Sequence, residues 1–158
     1  MPVADNIPMA SLTTRTNPFS REQLANAALI VAVGRQMGLT TRDIQIGLIT
    51  AMVESNLINV NYGDRDSLGL FQQRPSQGWG TPEQVTNPRY AATKFFTELK
   101  KVKGRENMAM TEAAQAVQRS AYPDAYAKWT SDAAGFVKVA RKHGPRIAGR
   151  AAPTVDFY

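Results

Sequence analysis

Apolar positions recur at helical spacing along most of the chain. Leu24, Ala27, Ala28 and Val31 share one face of a segment that Ser20 opens and Gly38 closes. Ser20 with Gln23 three positions on has the form of a capping box, which predicts a helix to about Met37. Thr40 or Thr41 caps a second helix, Arg42 to about Asn56, and the two form a helical hairpin. In the second helix Ile44, Leu48, Ala51 and Met52 lie on one face and Ile46, Ile49 and Val53 on another. A helix apolar nearly all round belongs in the interior, so this one is predicted to be the central element. Asn87-Pro88 starts a third helix with Pro at its first position. Its Tyr90, Ala91, Phe95 and Leu99 lie to one side, with Lys94, Lys100 and Lys101 largely elsewhere, and Gly104 and Asn107 break it. Thr111 caps a short helix that turns Ala114, Val117 and Ala121 inward and is interrupted at Tyr122-Pro123. A short turn from Asp124 or Ala125 to Trp129 and a last helix from Ser131 to about His143 complete the pattern.

No repeat and no strand-period segment of useful length is present, so the predicted fold class is mainly α, with room for a short β-hairpin inside residues 57–75. Residues 1–19, with Pro2, Pro8 and Pro18 among small polar residues, read as an arm or linker. One domain spans 20–145, and 146–158 form a tail carrying Pro, Gly and Arg. Residues 57–86 are irregular and too long for an ordinary connection, which usually marks a functional loop.

Glu54 stands where the central helix runs into that loop. A carboxylate there is desolvated by its surroundings and sits at the negative end of the helix dipole. Both effects are expected to raise its pKa, as a general acid working near neutral pH requires.

Composition narrows the chemistry. The 158 residues suffice for one domain with a sizeable core, and 43% hydrophobic with 20% charged residues is ordinary for a globular protein. No apolar run is long enough to span a bilayer. With no Cys, thiol nucleophiles, disulfides and zinc–thiolate sites are excluded. The one histidine, His143, cannot make HExxH or a multi-His metal site, and no GxSxG accompanies it for a serine triad. An enzyme built on this chain would therefore use carboxylates as its acid–base groups, and no cofactor is expected. The net charge of +6 points to a polyanionic partner: nucleic acid, an anionic cell wall or an anionic membrane surface.

Three motifs stand in order: Glu54-Ser55, Gly63-Asp64-Arg65 and Gly69-Leu70-Phe71-Gln72-Gln73. With these the chain resembles the lysozyme-like superfamily, in particular goose-type lysozymes and soluble lytic transglycosylases, in a phage-borne or actinobacterial form. In that family a catalytic glutamate at a helix end is usually followed by Ser, with a Gly-Leu-Met-Gln motif some fifteen positions later, the separation of Glu54 and Gly69 here. The resemblance covers about residues 22–140 and implies a lysozyme-like helical domain with a long active-site loop. It further implies cleavage of the MurNAc-β-1,4-GlcNAc bond of peptidoglycan with Glu54 as the acid. Asp64 matches a family aspartate that positions water. The family's second such aspartate is missing, since Gln73-Arg74-Pro75 follow the GLFQ segment, and Asp66 is a fallback.

The residue types suit a saccharide. Gln72 and Gln73 offer donors and acceptors to N-acetyl and hydroxyl groups, Gly69 admits a close backbone approach, and Trp79, Phe71 and Tyr62 offer flat faces. Core packing is the stronger expectation for Phe71. Ser67 and Leu70 fall in the same segment and complete the candidate substrate contacts. Downstream, 113–129 resembles a diverged form of the family's Ala-Tyr-Asn-Ala-Gly segment, with Val117-Gln118 in place of Tyr-Asn. Gln118 then stands near the Asn position, and Tyr122 or Tyr126 near the aromatic that orients the glutamate, Tyr126 being preferred.

Transglycosylation needs no second carboxylate, whereas inverting hydrolysis would need Asp64 to reach a water at a separation of roughly 6.5–9.5 Å from Glu54. The alternative from another class is a non-catalytic glycan-binding or structural module of a phage tail or wall-associated assembly. Nucleic-acid binding through Lys138, Arg141, Lys142, Arg146 and Arg150 lacks aromatic interleaving or a known reading motif and is not expected. The expected partners are peptidoglycan strands and the anionic wall, and the expected state is a monomer. No signal peptide is visible, so the expected location is the wall, reached by another route or as a piece of something larger, or a phage particle or phage endolysin.

Overall fold

The computed structural model describes residues 19–118. Residues 1–18 of the expected arm, the tail, and everything from position 119 on (Tyr122, Tyr126, Trp129 and His143 among them) lie outside the described residues, while Phe19, counted with the arm, is buried in the core. Five α-helices are described: α1 (Arg21–Gln36), α2 (Thr41–Ser55), α3 (Pro82–Val85), α4 (Pro88–Leu99) and α5 (Met110–Gln118). Two 3-10 turns lie at Pro75–Gln77 and Arg105–Asn107. The described part is mainly helical.

Local chemistry sets most helix starts. The capping box at α1 forms as expected: Ser20 Oγ accepts from Gln23 N–H at 3.1 Å, and Gln23 Oε1 accepts from Ser20 N–H at 2.8 Å. Thr40 caps α2 through Asp43 N–H, and Asn87 caps α4 through Tyr90 N–H, with Pro88 at the first helical position. At α5 the expectation is corrected. The helix begins at Met110, ahead of Thr111, because Glu112 reaches back to accept from Ala109 N–H at 3.1 Å.

The helical hairpin of α1 and α2 carries the core. Ile44, Ile46, Leu48, Ile49, Ala51 and Met52 are all buried, as expected of a central helix. α1 is also buried all round from Asn26 to Gly34, beyond the single face its spacing suggested. α4 packs against both helices, and α5 against α2 and α4. The α2–α4 crossing is close: a Cβ on Gly47 would stand 2.6 Å from Cζ of Phe96, a ring with no exposure. Phe95 stacks on Phe71 from the loop (centroids 5.0 Å apart, 16° between planes) and meets Phe96 edge-on. The ion pair of Arg105 with the buried Asp43 (2.9 Å) ties the second 3-10 turn to the start of α2, and Arg42 donates to the carbonyls of Arg105 and Met108.

The hairpin allowed for in 57–75 is absent. Among the described residues the only β pairing is one antiparallel bridge, Leu68 with Gln73. A turn closed by Ser67 N–H on the Asp64 carbonyl precedes it, and Pro75, which has no N–H to donate, follows it.

Candidate active-site cleft

Glu54 lies in the last turn of α2, half-buried, on a cleft of about 790 Å³. The way the chain leaves this helix puts it there. Asn56 (φ 56°) and Leu57 (φ 62°) are consecutive non-glycine residues in the left-handed region, a costly arrangement for a bulky residue such as Leu57. Two buried amides from α1 hold it: Gln23 Nε2 donates to the Asn56 carbonyl at 2.8 Å, and Asn26 Nδ2 to the Leu57 carbonyl at 2.7 Å. Full burial of the Leu57 side chain completes the anchor.

Ser55 links the helix end to the loop. Its Oγ donates to the Leu70 carbonyl at 2.7 Å, with the Ala51 carbonyl at 3.1 Å. Ser55 thus holds the GLFQ segment against the helix that carries the glutamate.

Within the loop, Gly69 N–H donates to the Val60 carbonyl at 2.7 Å. At φ 83° a Cβ on Gly69 would stand 2.2 Å from the Val85 carbonyl oxygen. The close approach that needs this glycine is to the chain's own backbone. Gln72 and Gln73 face opposite ways. Gln72, at φ 49°, lines the cleft, and its Nε2 donates to the Tyr62 and Gly69 carbonyls. Gln73 is buried and donates to the Ala91 carbonyl at 3.0 Å. Gln118 lines the cleft from α5 and donates to the Phe71 carbonyl at 2.8 Å; its buried Oε1 has no partner among the described residues.

Of the residues singled out in sequence, Glu54, Asp64, Ser67, Gln72, Trp79 and Gln118 therefore meet in one cleft. Leu70 and Phe71 do not line it. Both side chains are fully buried: Leu70 thereby departs from the surface contact expected of it, and Phe71 is core, the stronger expectation for it, stacked on Phe95. Gln73 and Gly69 likewise serve packing, Gln73 by tying the loop to α4 and Gly69 by letting it close on Val85 of α3.

Asp64 is exposed, and its carboxylate has no hydrogen bond or ion pair among the described residues. Asp66 is instead a loop clamp: it accepts from Arg74 Nε at 2.6 Å and from Ser76 N–H at 2.9 Å. The Arg74 bond first, and Ser76 second, hold the Asp66 carboxyl well below the usual carboxylate range. Arg74, in the Gln73-Arg74-Pro75 stretch that follows the GLFQ segment, brings a cation to the border of the cleft.

The wall built by α4 was not anticipated. Lys94, Glu98 and Lys101 line the cleft, with Lys94 Nζ 3.8 Å and Lys101 Nζ 3.0 Å from Glu98 Oε2. The signal was present, since these residues fall off the apolar stripe of Ala91, Ala92, Phe95, Phe96 and Leu99. Nothing local said that this polar face meets a cleft.

Among the described residues no group of three or more His, Cys, Asp or Glu side chains could hold a metal ion, and no helix is long and apolar enough to cross a membrane. Comparison with protein-family profiles and with curated proteins finds no match.

Proposed function

We propose that this protein is a peptidoglycan-cleaving glycosidase of lysozyme-like fold, acting on the MurNAc-β-1,4-GlcNAc bond as a lytic transglycosylase with Glu54 as its acid and then its base. The observation that carries the reading is the position of Glu54. It ends a buried helix, in a cleft it shares with Gln72, Gln118 and Trp79. Two amide side chains and an indole suit N-acetyl groups and sugar rings.

In this mechanism the Glu54 carboxyl gives its proton to the glycosidic oxygen as the C1–O bond breaks, leaving an oxocarbenium-like muramic acid residue. The resulting Glu54 carboxylate takes the proton of that residue's 6-hydroxyl as the oxygen bonds to C1, which closes a 1,6-anhydro ring and restores the acid. No water and no second carboxylate are consumed. The state of Asp64 favours this route over hydrolysis, since a water-positioning carboxylate needs a fixed orientation and no described residue holds this one.

Mass spectrometry of the soluble products from purified peptidoglycan tests the reading, wild type beside Glu54→Gln. Anhydro-muropeptides from wild type alone are expected. Reducing muramic acid ends lost in the variant would mean hydrolysis and bring Asp64 forward. No products from folded wild type would overturn the enzymatic reading in favour of a glycan-binding module.

A further inference from the structure

A saccharide backbone cut by Glu54 would leave the charges of the α4 wall unused. Lys94 and Lys101 converge on a single oxygen of Glu98, at 3.8 and 3.0 Å. Three charges on one patch leave one positive charge over. Each ammonium has three donors; Lys101 spends one on Glu98, whereas Lys94, at 3.8 Å, pairs with it by charge alone, so both retain donors for a ligand. The Lys94 and Lys101 side chains are 31% and 67% exposed, and both border the cleft.

On the loop side the exposed Asp64 carboxylate lines the same cleft and offsets one cation, so the surplus positive charge lies at the Lys94–Lys101 wall. Arg74 is bound by Asp66, but the exposed Arg65 also lines the cleft, and its guanidinium has no partner among the described residues. Cations lining a concave surface focus the field on an anionic ligand.

We propose that the Lys94–Lys101 wall is a carboxylate-binding subsite that takes free carboxylates of the stem peptides borne by the glycan strand. The proposal rests on the saccharide reading of the cleft. Carboxylate is the favoured anion because the two ammonium groups already converge on one, that of Glu98. Glu98 then acts as an internal competitor that holds the pair in place and must share it when the stem peptide docks. Partly exposed surface Lys–Glu pairs contribute little to stability, so the trio can be altered without unfolding the protein.

The test measures binding, by calorimetry, of the Glu54→Gln protein to soluble glycan strands with their stem peptides and to the same strands after an amidase has removed them. The expected result is an affinity about tenfold higher for peptide-bearing strands, falling with salt. Adding Lys94→Gln and Lys101→Gln should erase that preference and leave the affinity for bare strands unchanged. Adding Glu98→Gln instead should increase the preference, because the competing carboxylate is gone. Equal affinity for both strands, equal weakening on both by the lysine changes, or a loss of preference in Glu98→Gln would each overturn the subsite. The two proposals fail separately. Lysine-dependent preference with no cleavage by the unsubstituted protein would sink the glycosidase and keep the subsite, and cleavage without preference would do the reverse.

Discussion

Asn26 in α1 donates from Nδ2 to the carbonyl of Leu57 at 2.7 Å, a bond between residues 31 positions apart that closes the turn immediately after Glu54. Beside it Gln23 does the same for Asn56. Two successive left-handed residues persist because their carbonyls are held by a neighbouring helix. The orientation of the candidate acid is thus set by side chains that lie on a different element.

Replacing Asn26 by Leu should therefore act on stability and on catalysis together. Burying the Leu57 carbonyl without a donor is expected to cost about 2 kcal/mol. Denaturant titration would show this, and product release should fall mainly in kcat, because the glutamate shifts while the saccharide contacts remain.

Two glycines offer an internal control. Gly69 and Gly78 have nearly the same φ, 83° and 84°, but a Cβ on Gly78 meets nothing within 4 Å. Gly78→Ala should cost about 1 kcal/mol from the left-handed backbone alone. Gly69→Ala adds the clash with the Val85 carbonyl and should exceed it by about 2 kcal/mol or more. Equal losses in thermal unfolding would contradict the close approach of loop and α3.

Gly47→Ala tests the helix crossing. Helix propensity alone predicts a gain of about 1 kcal/mol. The buried Phe96 ring leaves no room for the methyl group, so a net loss of about 1–3 kcal/mol is expected from overpacking.

The Asp66 clamp carries a pH signature. Its folded-state pKa lies below the unfolded value of about 3.9, so its contribution is fully present above that value and is lost as pH falls toward the folded one. The Tm difference between wild type and Asp66→Asn should be constant from about pH 8 to pH 5 and shrink below about pH 4. A difference that widened toward acid pH would mean that Arg74 and Ser76 do not hold the ionised carboxylate.

Much of this was legible along the chain. The caps at Ser20, Thr40 and Asn87, the all-round apolar character of α2, and the order from Glu54 through Gly63-Asp64-Arg65 to Gly69 each depend on residues a few positions apart. Thr111 is not the cap because the helix starts one position before it, where Glu112 reaches back to accept from Ala109 N–H. The adjacent glutamines 72 and 73 looked alike in sequence; a left-handed φ at Gln72 sends one into the cleft and the other into the core.

By itself the sequence determined that the protein is mainly helical, that α2 is a central helix, and that a carboxylate ends it beside a long polar loop. These follow from periodicity and caps, which are local. Only the tertiary structure decided that Gln23 and Asn26 brace the turn after Glu54, that Leu70 and Phe71 underlie the cleft, and that Lys94, Glu98 and Lys101 face it. Those relationships join residues far apart in the chain, and they exist only where packed helices bring one element's polar side chains to another's exposed backbone or open surface.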